Sequence, residues 1–220
     1  MKSRLLALIG ELAILAGIVL SLHAVYQIWI TNYESDQKAF QVSERLVAEF
    51  SKDSEAPATD PLAVPEEKDH GGFALLYIPA LKEDVWALPI LSDVTEDSLS
   101  KGAGHYPQTA LPGEVGNFAI AAHRATYGEP FAYFERLTAG DKVIVQTAQG
   151  FYTYQLFADQ KIQETEVWVI SEQPAGVVSI PKAIITLTTC DPRWNSTQRW
   201  ARWGELIEFS ATAPQELNEP

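Results

Sequence analysis

The chain begins with a long apolar segment and continues into a polar one. From Leu5 to about Val25 the sequence is apolar apart from three scattered polar residues. At 1.5 Å per residue, these roughly 21 residues would span about 31 Å as a helix, enough to cross a hydrocarbon core of about 30 Å. The apolar core of a cleavable signal peptide is shorter, about 7–15 residues, and ends in small residues, which are missing here. Residues 1–30 are therefore predicted to hold a short terminus and a transmembrane signal-anchor.

The charges on either side of this segment predict its orientation. Lys2 and Arg4 precede it, whereas residues 31–40 are mixed to acidic. Because positive residues stay on the cytoplasmic side, we expect a single-pass protein of the cell membrane, with a cytoplasmic N-terminus and the chain after about residue 31 outside. The formal net charge of −13 argues against a nucleic-acid partner, since phosphate binding needs a basic surface.

Residues 31–72 predict an extracellular extension in two parts. Residues 31–50 place apolar positions at loose helical spacing, which favours a continuation of the membrane helix. Residues 51–72 contain three prolines, many acids and few apolar residues, which is the composition of a linker. We expect this linker to hold the folded domain away from the bilayer.

From Phe73 onward the chain consists of short apolar runs separated by turn residues. Short strands at this spacing, with few helices, predict one all-β domain over residues 73–212, an antiparallel barrel or sandwich, followed by a tail at 213–220. One short helix is predicted at 129–137, where Pro130 suits a first turn. The predicted strands are 73–78, 85–91, 117–123, 141–148, 151–162, 183–189 and 200–210.

Cys190 is the only cysteine of the chain and directly follows the predicted strand 183–189. Extracellular cysteines are usually paired in disulfides, and a single cysteine cannot form an intramolecular bridge. Its position alone leaves two interpretations open: a buried, inert side chain or a reactive nucleophile.

A nucleophilic thiol needs a neighbouring base or cation that favours the thiolate. Of the four histidines, one lies in the membrane segment, one in the linker, and His105 in a Gly-rich loop. His123 ends the predicted strand 117–123 much as Cys190 ends its own strand. This arrangement would bring both residues to one rim of a barrel.

A transition-state anion also calls for a hydrogen-bond donor. Arg199 opens the strand after Cys190 and is the first candidate. Arg193 lies in the turn between the two strands, and Arg202 lies three residues beyond Arg199. Because side chains alternate along a strand, Arg202 is expected on the face opposite Arg199.

The motif TLTTC at 186–190, the stretch AIAAHR at 119–124 and Arg199 together resemble the sortase family of membrane-anchored cysteine transpeptidases. The resemblance covers about residues 72–210 and implies a closed antiparallel sortase-type β-barrel with short helices. The stretches 104–124 and 190–200 look most like class E sortases of high-GC Gram-positive bacteria. By position, Cys190 would be the nucleophile, His123 the catalytic histidine and Arg199 the catalytic arginine. The family commonly has glycine where this chain has Ala122.

The resemblance also implies a reaction and its partners. Cys190 would attack the Thr–Gly bond of a C-terminal sorting signal, and an amine of a peptidoglycan precursor would resolve the thioester. The alternative is a pilin polymerase, whose acceptor is a lysine of another protein. A catalytically silent binding module is disfavoured because all three residues are present. No cofactor and no metal is expected.

Three further residues are candidate substrate contacts. Tyr106 matches a tyrosine that the family associates with Leu-Ala-x-Thr-Gly signals rather than Leu-Pro-x-Thr-Gly signals. Trp168 lies in the long connection before the Cys190 strand, where it would line the pocket for the leucine of the signal or pack the core. Thr189 would supply a backbone or hydroxyl contact, or act as an ordinary β-branched strand residue.

Overall fold

The computed structural model of the chain describes residues 2–53, 71–178 and 181–218. Its N-terminal part is one run of helix, made of α1 (Lys2–Val25), a π-helical segment (Tyr26–Ile30) and α2 (Thr31–Asp53). Arg4–Val25 is long and apolar enough to cross a membrane, and none of it is buried against the rest of the protein. The expected helical continuation is present and extends to Asp53. Most of the predicted linker, residues 54–70, lies outside the described residues.

Eight strands follow, and every predicted strand is among them with its ends shifted by a few residues. A short helix, α3 (Glu96–Leu99), precedes β3 and is capped by the side chain of Thr95. The strands are β1 (Gly72–Tyr77), β2 (Leu88–Leu91), β3 (Ala103–His105), β4 (Gly116–Ala121), β5 (Lys142–Thr147), β6 (Gly150–Ile162), β7 (Ala183–Asp191) and β8 (Gln198–Ser210). The 3-10 turns are Pro79–Leu81, Phe134–Arg136, Val167–Ile170 and Gln215–Leu217.

The strands close into a barrel in the order β1-β2-β3-β4-β7-β8-β6-β5. The predicted closed barrel is confirmed, but it is not antiparallel throughout. The pairs β2–β3 and β4–β7 are parallel, and the other six are antiparallel. Parallel neighbours require a crossover connection. Helix α3 lies in the connection from β2 to β3. The connection from β4 to β7 contains the β5–β6 hairpin and residues 163–182. The second crossover brings two strands that are distant in sequence side by side.

Two local predictions were wrong. Residues 129–137 form only the 3-10 turn Phe134–Arg136, because Phe131, Phe134 and Leu137 all point into the core, and a spacing of three matches the three-residue turn. The Gly-rich segment before Tyr106 contains strand β3 rather than only a loop. A Cβ at Gly104 would clash with the backbone oxygen of Asp93, so glycine is what allows this close approach.

The apolar residues form separate clusters inside and outside the barrel. The interior cluster draws on strands β1 to β7 and includes the aromatic rings of residues 131 and 134. A second cluster covers the outer face of β7 and β8, where Ile184 and Trp203 pack against Val169 and Trp168 of the 163–182 connection. The connection therefore lies on the face of β7 that also carries Cys190, since side chains at even positions of this strand share one face.

Helix α2 packs along the outside of the barrel. Leu46 and Phe50 are buried against Leu75, Tyr77 and Ile144. The described part of the predicted extension, α2, is therefore packed on the barrel and does not stand free of it. A spacing role stays a prediction for residues 54–70 alone.

The docking of α2 can be tested with two adjacent residues of the helix that differ in burial. Leu46 is 2% exposed, so Leu46→Ala should lower the free energy of unfolding by about 2–5 kcal/mol through the lost contacts and the cavity. Val47 is 44% exposed, so Val47→Ala should change it by no more than about 0.5 kcal/mol. The measurement is chemical denaturation of the detergent-solubilised chain. Equal effects of the two substitutions would show that α2 is not docked.

Candidate active site

The ends of β4 and β7 meet at one end of the barrel, called the rim below. The two strands are in parallel register up to Ala121 opposite Thr188. The register continues one step further, since the backbone N–H of Ala122 donates to the carbonyl of Thr188 at 3.2 Å. His123 and Cys190 each lie two residues beyond the last matched pair. The parallel crossover thus brings the histidine and the thiol to neighbouring strand ends.

Strand β8 adds an arginine to the same rim. Cys190 and Arg199 are directly opposed in the antiparallel β7–β8 ladder, so their side chains lie on one face. The thiol of Cys190 is free and half-buried. The guanidinium of Arg199 donates from Nη1 to the carbonyl oxygens of Ser196 at 3.1 Å and Gln198 at 3.0 Å, and its Nη2 lies 3.4 Å from Glu164 Oε2.

The two rival arginines are engaged elsewhere. Arg202 is buried on the opposite face of β8, as alternation predicts, where it stacks over the ring of Trp200 and pairs with Asp159 at 3.4 Å. Arg193 pairs with Glu129 and lies over the ring of Tyr133. Arg199 is therefore the one of the three that shares a face with Cys190.

His123 is held in a partly desolvated setting. Its imidazole stacks on Tyr127, with ring centroids 5.1 Å apart, and no described residue hydrogen-bonds to its buried Nε2. Burial lowers the pKa of His123, and the negative charge of Glu96 opposes this shift only in part. A buried nitrogen without a partner is uncommon in folded proteins, and a catalytic role is one of the explanations for it.

A buried ion-pair network joins the strand ends that carry His123 and Cys190. Arg124 pairs with Asp191, with Glu135 at 2.9 Å, and lies 3.4 Å from the carbonyl oxygen of Cys190. Lys161 adds a second cation 2.9 Å from Asp191. Burial raises the pKa of Asp191, but the hydrogen bonds and charges of Lys161 and Arg124 outweigh it, so the net shift is downward. The carboxylate therefore stays ionised.

Sequence analysis missed this network, although a signal for it was present. Two oppositely charged residues, Arg124 and Asp191, directly follow His123 and Cys190. Once those two residues are placed at neighbouring strand ends, the next position on each strand must also be close. The ion pair is the consequence.

A family model for the Sortase domain matches residues 76–207 of the chain, a range that includes His123, Cys190 and Arg199. The chain belongs to the sortase family.

Relatives of this sortase point to class E. Sortase SrtE1 of Streptomyces coelicolor is 33% identical over 210 residues, which cover 91% of this chain and 56% of the relative. This chain thus spans about half the length of SrtE1. Sortase SrtE2 of the same organism is 31% identical over 231 residues, covering 96% of this chain and 87% of the relative.

A solved structure supports the same class. Sortase E from Streptomyces avermitilis is 35% identical, with a TM-score of 0.62, and the match covers 69% of this chain and 99% of that one. The prediction of a class E sortase, and with it a cysteine transpeptidase, is confirmed by these similarities.

Tyr106 of this sortase reaches strand β7, which carries Cys190. Its hydroxyl lies 3.1 Å from Oγ1 of Thr188, which in turn donates to the carbonyl oxygen of Ile120 at 3.1 Å. Thr188 and Cys190 are two residues apart and share a face of β7. The half-buried phenol therefore lies on the same face of β7 as the thiol.

The other two candidate substrate contacts have partners within the protein. The hydroxyl of Thr189 is buried and donates to the carbonyl oxygen of Ala122 at 2.8 Å, which fastens β7 to the end of β4. Any contact of Thr189 with substrate would then come from its backbone. Trp168 stacks on Trp203 at 6.0 Å and donates to Glu166 at 3.2 Å, but it stays half-exposed beside the face that carries Cys190. It both packs the outer cluster and presents one surface to solvent.

His105, the other histidine of the barrel, has partners within the protein. His105 is buried and hydrogen-bonds through Nε2 with Ala110 at 3.1 Å and Thr109 at 3.0 Å, so it orders the loop beside Tyr106. Within residues 2–53, 71–178 and 181–218, no three His, Cys, Asp or Glu side chains are grouped in a way that would hold a metal ion.

The ion pair at the rim yields a prediction with a defined pH dependence. Near neutral pH, Asp191→Asn should lower the free energy of unfolding by about 1–3 kcal/mol, because buried Arg124 loses its charged partner. It should also lower kcat/KM, since both strand ends loosen. Because the pKa of Asp191 is depressed, this stabilisation is complete above its ordinary value of 3.8 and is lost as the pH falls through the lower folded value.

Urea unfolding at neutral pH and below pH about 4 measures this effect, with Glu205→Gln as the control. Glu205 belongs to a half-exposed pair with Lys182, so its substitution should cost at most about 1 kcal/mol. A difference between wild type and Asp191→Asn that does not shrink in acid would contradict the role of the ion pair.

Proposed function

We propose that this sortase cleaves the Thr–Gly bond of a C-terminal sorting signal and transfers the new acyl group to an amine of a peptidoglycan precursor. Residues 1–30 anchor it in the cell membrane with the barrel outside. The observation that carries the proposal is the opposition of Cys190 and Arg199 on one face of the rim, with His123 on the neighbouring strand end.

In the first step, the thiolate of Cys190 attacks the threonine carbonyl carbon of the signal. A thioester forms as the C–N bond to glycine breaks, and the imidazolium of His123 protonates the leaving amine. Burial lowers the pKa of this histidine, which makes the imidazolium a stronger acid toward that amine. Arg199 donates hydrogen bonds to the oxyanion or to substrate carbonyls, where one fixed donor contributes about 2.7–4 kcal/mol.

In the second step, an acceptor amine attacks the thioester carbonyl. The neutral imidazole of His123 accepts the proton of the incoming nitrogen, and Cys190 leaves as the thiolate that began the cycle. The product is a new amide between the surface protein and the acceptor. If the acceptor were a lysine of another protein, the enzyme would be a pilin polymerase. The mass of the product distinguishes the two acceptors.

The specificity proposal rests on Tyr106 and Trp168. The phenol of Tyr106 occupies space on the thiol face that a proline ring at the second signal position would need, which favours Leu-Ala-x-Thr-Gly. The half-exposed ring of Trp168 offers an apolar surface for the leucine of the signal.

The proposed chemistry is tested by substitutions at the rim. Cys190→Ala should abolish transpeptidation, and His123→Ala and Arg199→Ala should each lower kcat/KM by at least about 10²-fold, the scale of proton-transfer and oxyanion terms. Arg202→Ala should lower kcat/KM much less. Because Arg202 is buried, its substitution also tests packing. Arg136→Ala, at an exposed position, is therefore the matched arginine control. Products with signal peptides and amines are identified by mass. A folded Cys190→Ala chain with measurable turnover would reject the mechanism.

The selectivity of the groove is tested by shortening Tyr106. Wild type should prefer the Leu-Ala-x-Thr-Gly peptide over its proline counterpart, and shape selection of this kind is worth about 1–3 kcal/mol. Tyr106→Ala should narrow the ratio of the two kcat/KM values mainly by improving the proline peptide. Tyr106→Phe, which removes only the bond to Thr188, should keep most of the preference. Equal losses on both peptides would assign Tyr106 a packing role only.

A further inference from the structure

The helix that continues the membrane segment is bonded to the rim by its first turn. Asn32, the second residue of α2, accepts a hydrogen bond from the backbone N–H of Gly128 at 3.1 Å and donates to Glu129 Oε1 at 2.7 Å. One turn later, the hydroxyl of Ser35 donates to the carbonyl oxygen of Ser100. These contacts lie at the N-terminal end of α2. Leu46, near the other end of the helix, packs on the barrel farther from the rim.

The partners of Asn32 belong to one of the two loops that flank the active site, and one of them contacts the other loop. Gly128 and Glu129 end the post-His loop (residues 124–129), in which four consecutive residues from 126 to 129 have positive φ and Tyr127 stacks on His123. Glu129 also pairs through its second oxygen with Arg193 of the post-Cys loop (residues 192–197). One side chain of α2 is thus linked to both loops of the rim.

The length of helix between the membrane segment and Asn32 sets the height of the rim. Arg4–Val25 is the apolar span, and Asn32 is the seventh residue after Val25. At 1.5 Å per residue the rise is about 10 Å. The headgroup layer on each side of a bilayer is about 5–8 Å thick. If the helix stands perpendicular to the bilayer, the rim would lie at the outer edge of the headgroups, and the opposite end of the barrel would lie a strand length further out.

The rim also carries a side chain suited to this position. Trp194 in the post-Cys loop is 65% exposed, with the guanidinium of Arg193 4.9 Å from its ring. Tryptophan and tyrosine are enriched where a membrane meets water. Tyr33, next to Asn32, is likewise 65% exposed. Because the protein carries a strong net negative charge, its helix and these aromatic rings, and not charge attraction, would hold it at the surface.

We propose that the rim faces the bilayer, with Trp194 in the headgroup layer, so that Cys190 acts on signals and amines that are still attached to the membrane. This orientation rests on the proposed membrane anchoring. It gives the docked α2 a role in selecting membrane-held substrates over soluble ones.

The depth of Trp194 is measured directly in the full chain. Cys190→Ala removes the only cysteine, after which Trp194→Cys and Ile207→Cys provide single attachment sites for an environment-sensitive fluorophore. Ile207 is 49% exposed on β8, and eight residues of strand place it about 26 Å from Arg199. Both chains are reconstituted in phosphatidylcholine and phosphatidylglycerol vesicles that contain headgroup-labelled quencher lipids.

Quenching at residue 194 should exceed quenching at residue 207 by at least about threefold, because only the rim label lies in the interface. Equal quenching, or stronger quenching at 207, overturns the proposed orientation. The two proposals fail differently: a chain that does not float with the vesicles contradicts the anchoring, whereas a floating chain with an unquenched residue 194 contradicts only the orientation.

A second experiment measures the consequence for activity. Seven alanines inserted after Ile30 raise the rim by about 10 Å with little rotation, since seven residues make about two helical turns. The rate with a lipid-anchored signal peptide should fall about tenfold through the lower effective concentration, while the rate with a soluble peptide stays unchanged. An unchanged rate with both peptides would overturn the inference, and loss of both in the unmodified chain would overturn the proposed function instead.

Discussion

The site depends on the parallel pairing of β4 with β7. His123 and Cys190 are 67 residues apart in sequence, and only the register that opposes Ala121 to Thr188 brings them to one rim. A slip of one residue would turn every side chain of β7 to the other face. The thiol would then enter the barrel interior, and the neighbouring threonine would take its place.

Buried polar contacts at the rim fix this register. The hydroxyl of Thr189 and the backbone N–H of Ala122 join the strand ends, and the pair of Arg124 with Asp191 joins the positions directly beyond. Ionic groups are costly to bury, and they repay the cost only when geometry and additional partners are good. Here Glu135 and Lys161 supply those partners, so the network specifies one arrangement of the rim.

The sequence predicted the features that follow from local pattern. Alternating or continuous apolar runs located the strands, and the position of Cys190 after one of them, with its family motif, indicated the candidate site. The parallel pairs were not predictable from the same pattern, because hydrophobic periodicity does not encode which strands become neighbours. The aromatic run at 131–137 misled for a related reason: its spacing of three suits both a short helix and a 3-10 turn, and only the barrel interior decides between them.

The post-His loop connects His123 with helix α2. Tyr127 covers the imidazole of His123, and the desolvation of this histidine lowers its pKa. The same loop has four consecutive residues in the left-handed region, a conformation that persists only when surrounding contacts determine it. Those contacts come from Asn32 of α2 on one side and Arg193 of the post-Cys loop on the other. The environment of His123 thus depends on α2, so a change in the first turn of this helix reaches the proposed proton-transfer group through a single loop.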